Sequence, residues 1–149
     1  MEPKEADIVD RVVDNLFSIS PLVTKALKLS LRTKANLNPV SYYVLRVLSR
    51  FDQLSMTEIS AKVQIPKPHL TLHVDKLIAD AMAERIQDPT DRRVIRIKLT
   101  AKGRADLDTI TSMVNEDMKQ RIQTLTADKI ETLLVSTNQV REILNEILN

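Results

Sequence analysis

The sequence predicts a mainly α-helical protein with one small β-hairpin, an α+β arrangement in which long helices occupy both termini. Three observations predict it. Apolar residues recur at helical spacing over most of the chain. A capping signal at Ser55-Met56-Thr57-Glu58 opens two short helices separated by a tight turn. Two runs of strand character then flank the turn-rich stretch Asp88-Pro89-Thr90-Asp91.

Residues 6–32 read as one long helix or two short ones, with Ile8, Val12, Leu16, Ile19 and Val23 on one stripe and Val9, Val13 and Phe17 beside it. Ser20-Pro21 interrupts the pattern, and proline there is expected to kink or restart the helix. Asn38-Pro39 is a start signal, with asparagine as N-cap and proline in the first turn. The helix it opens carries Val40, Val44, Val47, Leu48 and Phe51 on one expected core face, with Tyr42 opposite that face and Tyr43 at its border. After the capping box a short helix runs through Ile59 and Val63 to Gln64-Ile65-Pro66. A second begins near Pro68 and continues to about Ala81, with Leu70, Val74, Leu77 and Ile78 facing inward. The strands are Met82 to Gln87 and Val94 to Leu99, the latter a half-buried alternation of Ile95, Ile97 and Leu99 with Val94, Arg96 and Lys98. Thr100 can cap a long helix over about 101–124 through Leu107, Ile110, Val114 and Met118. A final helix starts at Ala127-Asp128 and carries a wide apolar stripe to its end.

A hairpin directly after a helix-turn-helix is a wing, so residues 37–100 form a winged helix-turn-helix. A monomer would struggle to bury both terminal stripes. Residues 6–34 and 101–149 are therefore expected to form a helical dimerisation region.

Composition narrows the function. The chain of 149 residues is 43% apolar and 28% charged, enough to fill the core of one domain. It has no cysteine, which removes disulfides, thiolate metal sites and thiol redox sensing. Its one glycine, Gly103, cannot make a phosphate-cradling loop or a dinucleotide fingerprint, so no cofactor is called for. No apolar run reaches the roughly 18 residues of a membrane span, and the acidic start does not read as a secretory signal, so a cytoplasmic setting is expected. The net charge of +2 hides a bias: residues 15–51 hold six bases and no acid. Such a surface can meet a polyanion, although solvated helix faces have the same composition.

A winged unit of this kind can set its second helix in a DNA major groove and its wing in the neighbouring minor groove. Groove readers come from the N-terminal half of that helix, which makes Lys67, Pro68, His69, Thr71 and Leu72 the candidates. Thr71 can bond a base edge or a phosphate, Leu72 can pack only on an apolar edge such as a thymine methyl, and Lys76 suits a phosphate. In the wing, strand alternation sends Arg92 and Arg93 to opposite sides, one to the minor groove and one to phosphate, with Asp91 orienting an arginine. A surface salt bridge that tidies the turn is the plainer reading of the same residues.

His69 and His73 lie at i and i+4 but make only half a tetrahedral metal site, and groove contacts or packing explain them more simply. No spacing groups a serine, a base and an orienting acid, so no enzyme is expected. Tyr42 and Tyr43 can line a small-molecule pocket, though aromatic packing against the terminal helices accounts for them better.

The segments Leu37-Asn38-Pro39, Tyr43-Val44-Leu45, Ser55-Met56-Thr57-Glu58-Ile59, Leu70-Thr71 and Val74-Asp75-Lys76-Leu77 together resemble the MarR family of transcription regulators. Arg85, the wing Asp88-Pro89-Thr90-Asp91-Arg92-Arg93, and Leu99-Thr100 with Gly103 extend the resemblance over nearly the whole chain. It implies a homodimer on a pseudo-palindromic DNA operator, commonly a repressor released by a small lipophilic, phenolic or anionic ligand. By position it implies that helix 67–80 reads the major groove and that Arg93, supported by Asp91, enters the minor groove. Leu72 stands where similar proteins often have arginine, and Ala81 replaces the glycine that usually ends the recognition helix, so that the C-cap differs or the helix runs on slightly. The competing expectation is a winged-helix adaptor that binds protein rather than DNA, kept open by Leu72 and the modest charge of residues 55–100.

Overall fold

The structure is a computed structural model that describes residues 3–148. It divides into two compact units, Met1–Val114 and Asn115–Asn149. The first contains the helix α1 (Pro3–Ser30), a π-helical turn (Leu31–Ala35), α2 (Pro39–Leu48), β1 (Gln53–Ser55), α3 (Met56–Val63), α4 (Lys67–Ala79), β2 (Ala83–Gln87), β3 (Ile95–Leu99) and the start of α5 (Ala101–Gln123). The second holds the end of α5 and the helix α6 (Ala127–Leu148).

Helix α1 runs unbroken through Pro21, contrary to the expected kink or restart. A proline removes one backbone donor, and here its flanking residues lie on an exposed stretch where water can serve the freed carbonyl. The interruption comes ten residues later. At Leu31–Ala35 the helix widens to a π-turn, closed by the N–H of Asn36 bonding to Leu31 O with Asn36 left-handed at φ 48°. The wider turn presses Leu31 fully into the core.

The core is one cluster that includes Leu31, Val44, Leu45, Leu48, Ile59, Leu70, Val74, Leu77, Ile97 and Leu107. Val44 and Leu48 fall where the sequence puts them, and Val40 and Val47 pack against the cluster. Phe51 does not: it lies beyond the end of α2, is exposed, and carries the Lys62 ammonium 4.0 Å above its ring. Tyr42 is likewise not on an outer face. It is buried, because α2 is covered on two sides. Its hydroxyl accepts from Arg46 Nη1 at 3.2 Å and lies 3.5 Å from Thr111 Oγ1 of α5.

The hairpin β2–β3 is antiparallel with Ala83 opposite Leu99, Arg85 opposite Ile97 and Gln87 opposite Ile95. A third strand, β1, adds to the other side of β3 and gives the order β1-β3-β2. This strand was not expected; at three residues it is too short to display an alternation. It matters because it pairs Ser55 with Arg96. Ile97 and Leu99 are buried as the alternation predicts, whereas Ile95 is exposed near the wing tip.

Candidate nucleic-acid interface

The capping box forms as predicted, with Ser55 Oγ accepting from the N–H of Glu58 at 3.3 Å and Glu58 Oε2 accepting from the N–H of Ser55 at 2.7 Å. Helix α3 then ends on Gln64, left-handed at φ 57°. Ser60 ties the turn: its hydroxyl donates to Ile65 O at 2.7 Å, and its carbonyl accepts the N–H of Ile65 at 3.3 Å. Pro66 N-caps α4 and Pro68 sits in its first turn, where a missing N–H costs nothing. The Lys67 ammonium donates to Thr57 Oγ1 at 2.9 Å, fastening α4 to α3.

Helix α4 buries Leu70, Val74 and Leu77, as its spacing requires. Lys67, Pro68, His69, Thr71, Leu72 and Lys76 are all exposed, so every candidate on this helix stands at the surface. Their bonding is less free than their exposure. The Thr71 hydroxyl donates to Lys67 O at 3.0 Å within the helix. Asp75 is ion-paired with Arg85 of β2. His73 is half-buried and shares a 3.3 Å hydrogen bond with the buried Ser41 of α2. Leu72, without a polar group, is 75% exposed.

The helix does not run on at Ala81. It ends at Ala79, and Ala81 adopts the left-handed conformation a glycine would take, φ 57°. The N–H of Met82 bonds to Leu77 O at 2.9 Å and that of Ala81 to Ile78 O at 3.0 Å. This is a Schellman closure, completed by burial of Met82 and Leu77.

The wing loop is organised by two aspartates. Asp88 Oδ1 accepts from the N–H of Thr90 at 2.8 Å, the Thr90 hydroxyl at 2.7 Å and the N–H of Asp91 at 2.9 Å. Asp91 accepts from the N–H of Arg93 at 3.0 Å and from its guanidinium at 3.2 and 3.4 Å. The expectation that Asp91 orients an arginine is met in geometry by Arg93, whose side chain is 90% exposed. Arg92 is exposed as well, and its carbonyl accepts from Gln87 Nε2 at 3.1 Å. Both arginines lie in the turn before β3 begins, so strand alternation does not set their directions.

Arg96 is the residue the sequence reading passed over. Strand pairing with Ser55 places it beside the capping box, where its Nη1 donates to Glu58 Oε2 at 3.1 Å while its Nε bonds Asp88. One guanidinium thus joins the base of the wing to the start of α3. The hydroxyl of Thr90, the N–H of Asp91 and Arg96 hold the Asp88 carboxyl far below the usual carboxylate range. Ser55, with help from Arg96, lowers that of Glu58. No single stretch of sequence signals this triad; Asp88-Pro89-Thr90-Asp91 signals only the loop.

Tyr43 is exposed at the surface, its ring 6.2 Å from that of the buried Tyr42. Among the described residues no cluster of histidine and acidic side chains could hold a metal, and no helix is long and apolar enough to cross a membrane.

Residues 35–94, from the π-turn through the wing arginines, match the model of the MarR family. The HTH-type transcriptional regulator MhqR of Bacillus subtilis (strain 168) is 30% identical over 98 residues, 66% of this chain and 68% of that protein. The multiple antibiotic resistance protein MarR of Escherichia coli (strain K12) is 30% identical over 81 residues, 54% of this chain and 56% of its own length. Of six further curated relatives the chain spans 51 to 66% of the length. The crystal structure of wild-type MarR in its apo form from E. coli is similar in fold, with a TM-score of 0.71 at 23% identity over 85% of this chain and 94% of that one. The family match takes in α2, the helix pair α3–α4, the strands β1 and β2 and the wing loop just described, and the chain belongs to the MarR family of winged helix-turn-helix transcriptional regulators.

Proposed function

We propose that this regulator binds double-stranded DNA as a homodimer, on a pseudo-palindromic operator, and acts as a repressor. Residues 37–100 serve as the DNA-binding region, and 6–34 with 101–149 as the dimerisation region. In each protomer α4 enters a major groove and the wing places Arg93 in the adjoining minor groove, where the potential favours a guanidinium. The observation that carries the reading is the exposed Arg93 clamped by Asp91, on a wing that Arg96 anchors to α3. A preset guanidinium loses little side-chain freedom on binding. Lys76 and Arg92 supply phosphate contacts beside it.

The dimer is supported by two uncovered stripes. Ile8, Val12, Ile19 and Val23 of α1 are exposed, as are Leu134, Ile143, Ile147 and Leu148 of α6. A second copy of the chain would bury them. Two copies could then present their recognition helices about 34 Å apart, one turn of DNA. A small lipophilic or anionic ligand that altered this separation would weaken binding, because both half-sites could no longer be engaged together. One observation favours the adaptor reading instead: the bare apolar Leu72 at the centre of α4.

Gel shifts on the DNA upstream of the protein's own reading frame, over a salt series, test the proposal. The expected log–log slope is about −0.9 per phosphate neutralised, and sedimentation is expected to give twice the chain mass. A stable single chain that ignores every duplex at low salt would overturn it.

A further inference from the structure

Leu72 is the most exposed large apolar side chain between the π-turn and α5, at 75% against 46% for Ile95, 41% for Phe51 and 37% for Tyr43. Phe51 at least has the Lys62 ammonium over its ring. Leu72 sits instead on the outer face of α4, one helical turn after the exposed Pro68 and one before Lys76.

Three of the polar side chains of α4 near it are already engaged. The Lys67 ammonium bonds Thr57, the Thr71 hydroxyl donates to Lys67 O, and Asp75 is paired with Arg85. Thr71 spends its one proton on its own helix, so what it offers outward besides lone pairs is a methyl group. The N-terminal half of α4 therefore presents Pro68, the Thr71 methyl and Leu72 as one small apolar strip, with Lys76 at its end. A major-groove edge has one apolar feature, the 5-methyl of thymine.

We propose that Leu72 is a specificity-determining residue that reads thymine through its 5-methyl group, so that this protein selects one thymine per half-site by apolar contact. The proposal rests on the DNA-binding reading above and adds to it the base and the atom recognised. Hydrogen-bond readout at the same position would need a donor or acceptor that leucine lacks. The basic Lys76 beside the strip suits a polyanion carrying methyl groups better than an apolar protein surface.

The test starts from duplexes selected by the full-length protein out of a randomised pool. Each thymine of the selected site is then replaced in turn by deoxyuridine, which deletes only the methyl. One position per half-site is expected to weaken binding about fourfold, the worth of one buried methyl, and about fifteenfold when both half-sites carry uracil. In L72A that penalty disappears while the other positions respond as before, because the two changes remove the same contact. Leu72 is exposed, so an unaltered melting temperature is expected and verifies the fold of the variant. If no duplex is enriched, the DNA-binding reading falls and this proposal with it. If a duplex is enriched but every uracil substitution is silent, or L72A remains as sensitive as the parent, only the proposal falls, and Leu72 is left as an anchor for a protein partner.

Discussion

The carbonyl oxygen of Met82 lies so close to Gly103 that a Cβ on the glycine would stand 1.9 Å from it. This contact seats the first turn of α5 against Met82, just beyond the C-terminal end of α4. Thr100 completes the junction: its hydroxyl donates to Ala81 O at 2.7 Å and accepts the N–H of Gly103 at 2.9 Å. Its own N–H reaches Met82 O at 3.1 Å. The helix that starts the terminal region and the helix expected to meet DNA are thus locked at one point.

G103A should test that lock. Overpacking usually costs about 1–3 kcal/mol, and a backbone carbonyl cannot rotate aside as a side chain would. The expected loss is at least about 3 kcal/mol, a fall in Tm of roughly 6–12 °C for a chain of this size. Thermal unfolding followed by circular dichroism measures it, and an unchanged Tm would contradict the close approach.

Ala81 should be improvable. Its left-handed backbone strains an L-residue by about 1–2 kcal/mol, while glycine adds about 0.4–1 kcal/mol of freedom to the unfolded chain. A81G is therefore expected to gain about 0.5–1 kcal/mol net. Urea unfolding should show a higher midpoint with the same slope.

Asp88 should make the protein acid-sensitive. Its carboxyl titrates lower folded than unfolded, so the folded chain prefers the ionised form. That stability is complete above the ordinary aspartate value of about 3.9 and is lost as pH falls below it toward the depressed folded value. Urea unfolding between pH 6 and pH 3 is expected to show the decline. D88N should be less stable at neutral pH and flatter across that window, since it cannot ionise.

The wing pair should separate charge from placement. R93A is expected to weaken operator binding by about 1–3 kcal/mol. D91A keeps the guanidinium but frees it, and its loss should be smaller, under about 1 kcal/mol, as for other exposed pairs. Gel shifts at fixed salt compare them. Equal losses would mean that Arg93 acts only through its clamp.

Sequence reading reached the elements whose causes are local. Asn38 caps α2 through the N–H of Val40 at 2.8 Å, two residues away. Ser55 and Glu58 close their box within one turn, and Thr100 caps α5 three residues before Gly103. Asp91 reaches Arg93 across two residues. Each depends on residue types at short fixed spacing, so it can be read along the chain.

What only the tertiary structure decided joins residues that the sequence holds apart. Arg96 meets Glu58 across 38 positions because a three-residue strand pairs beside it. Tyr42 is buried because α5 brings Thr111 against its hydroxyl, where a single-face reading of α2 had placed it outside. His73 turns toward Ser41 for a similar reason. Ala81 takes a conformation that alanine alone would avoid, since the hydrogen bonds of the Schellman closure and the burial of Met82 outweigh the local strain. Local propensity is worth about a kilocalorie or less per residue, and packing that closes several contacts at once overrides it.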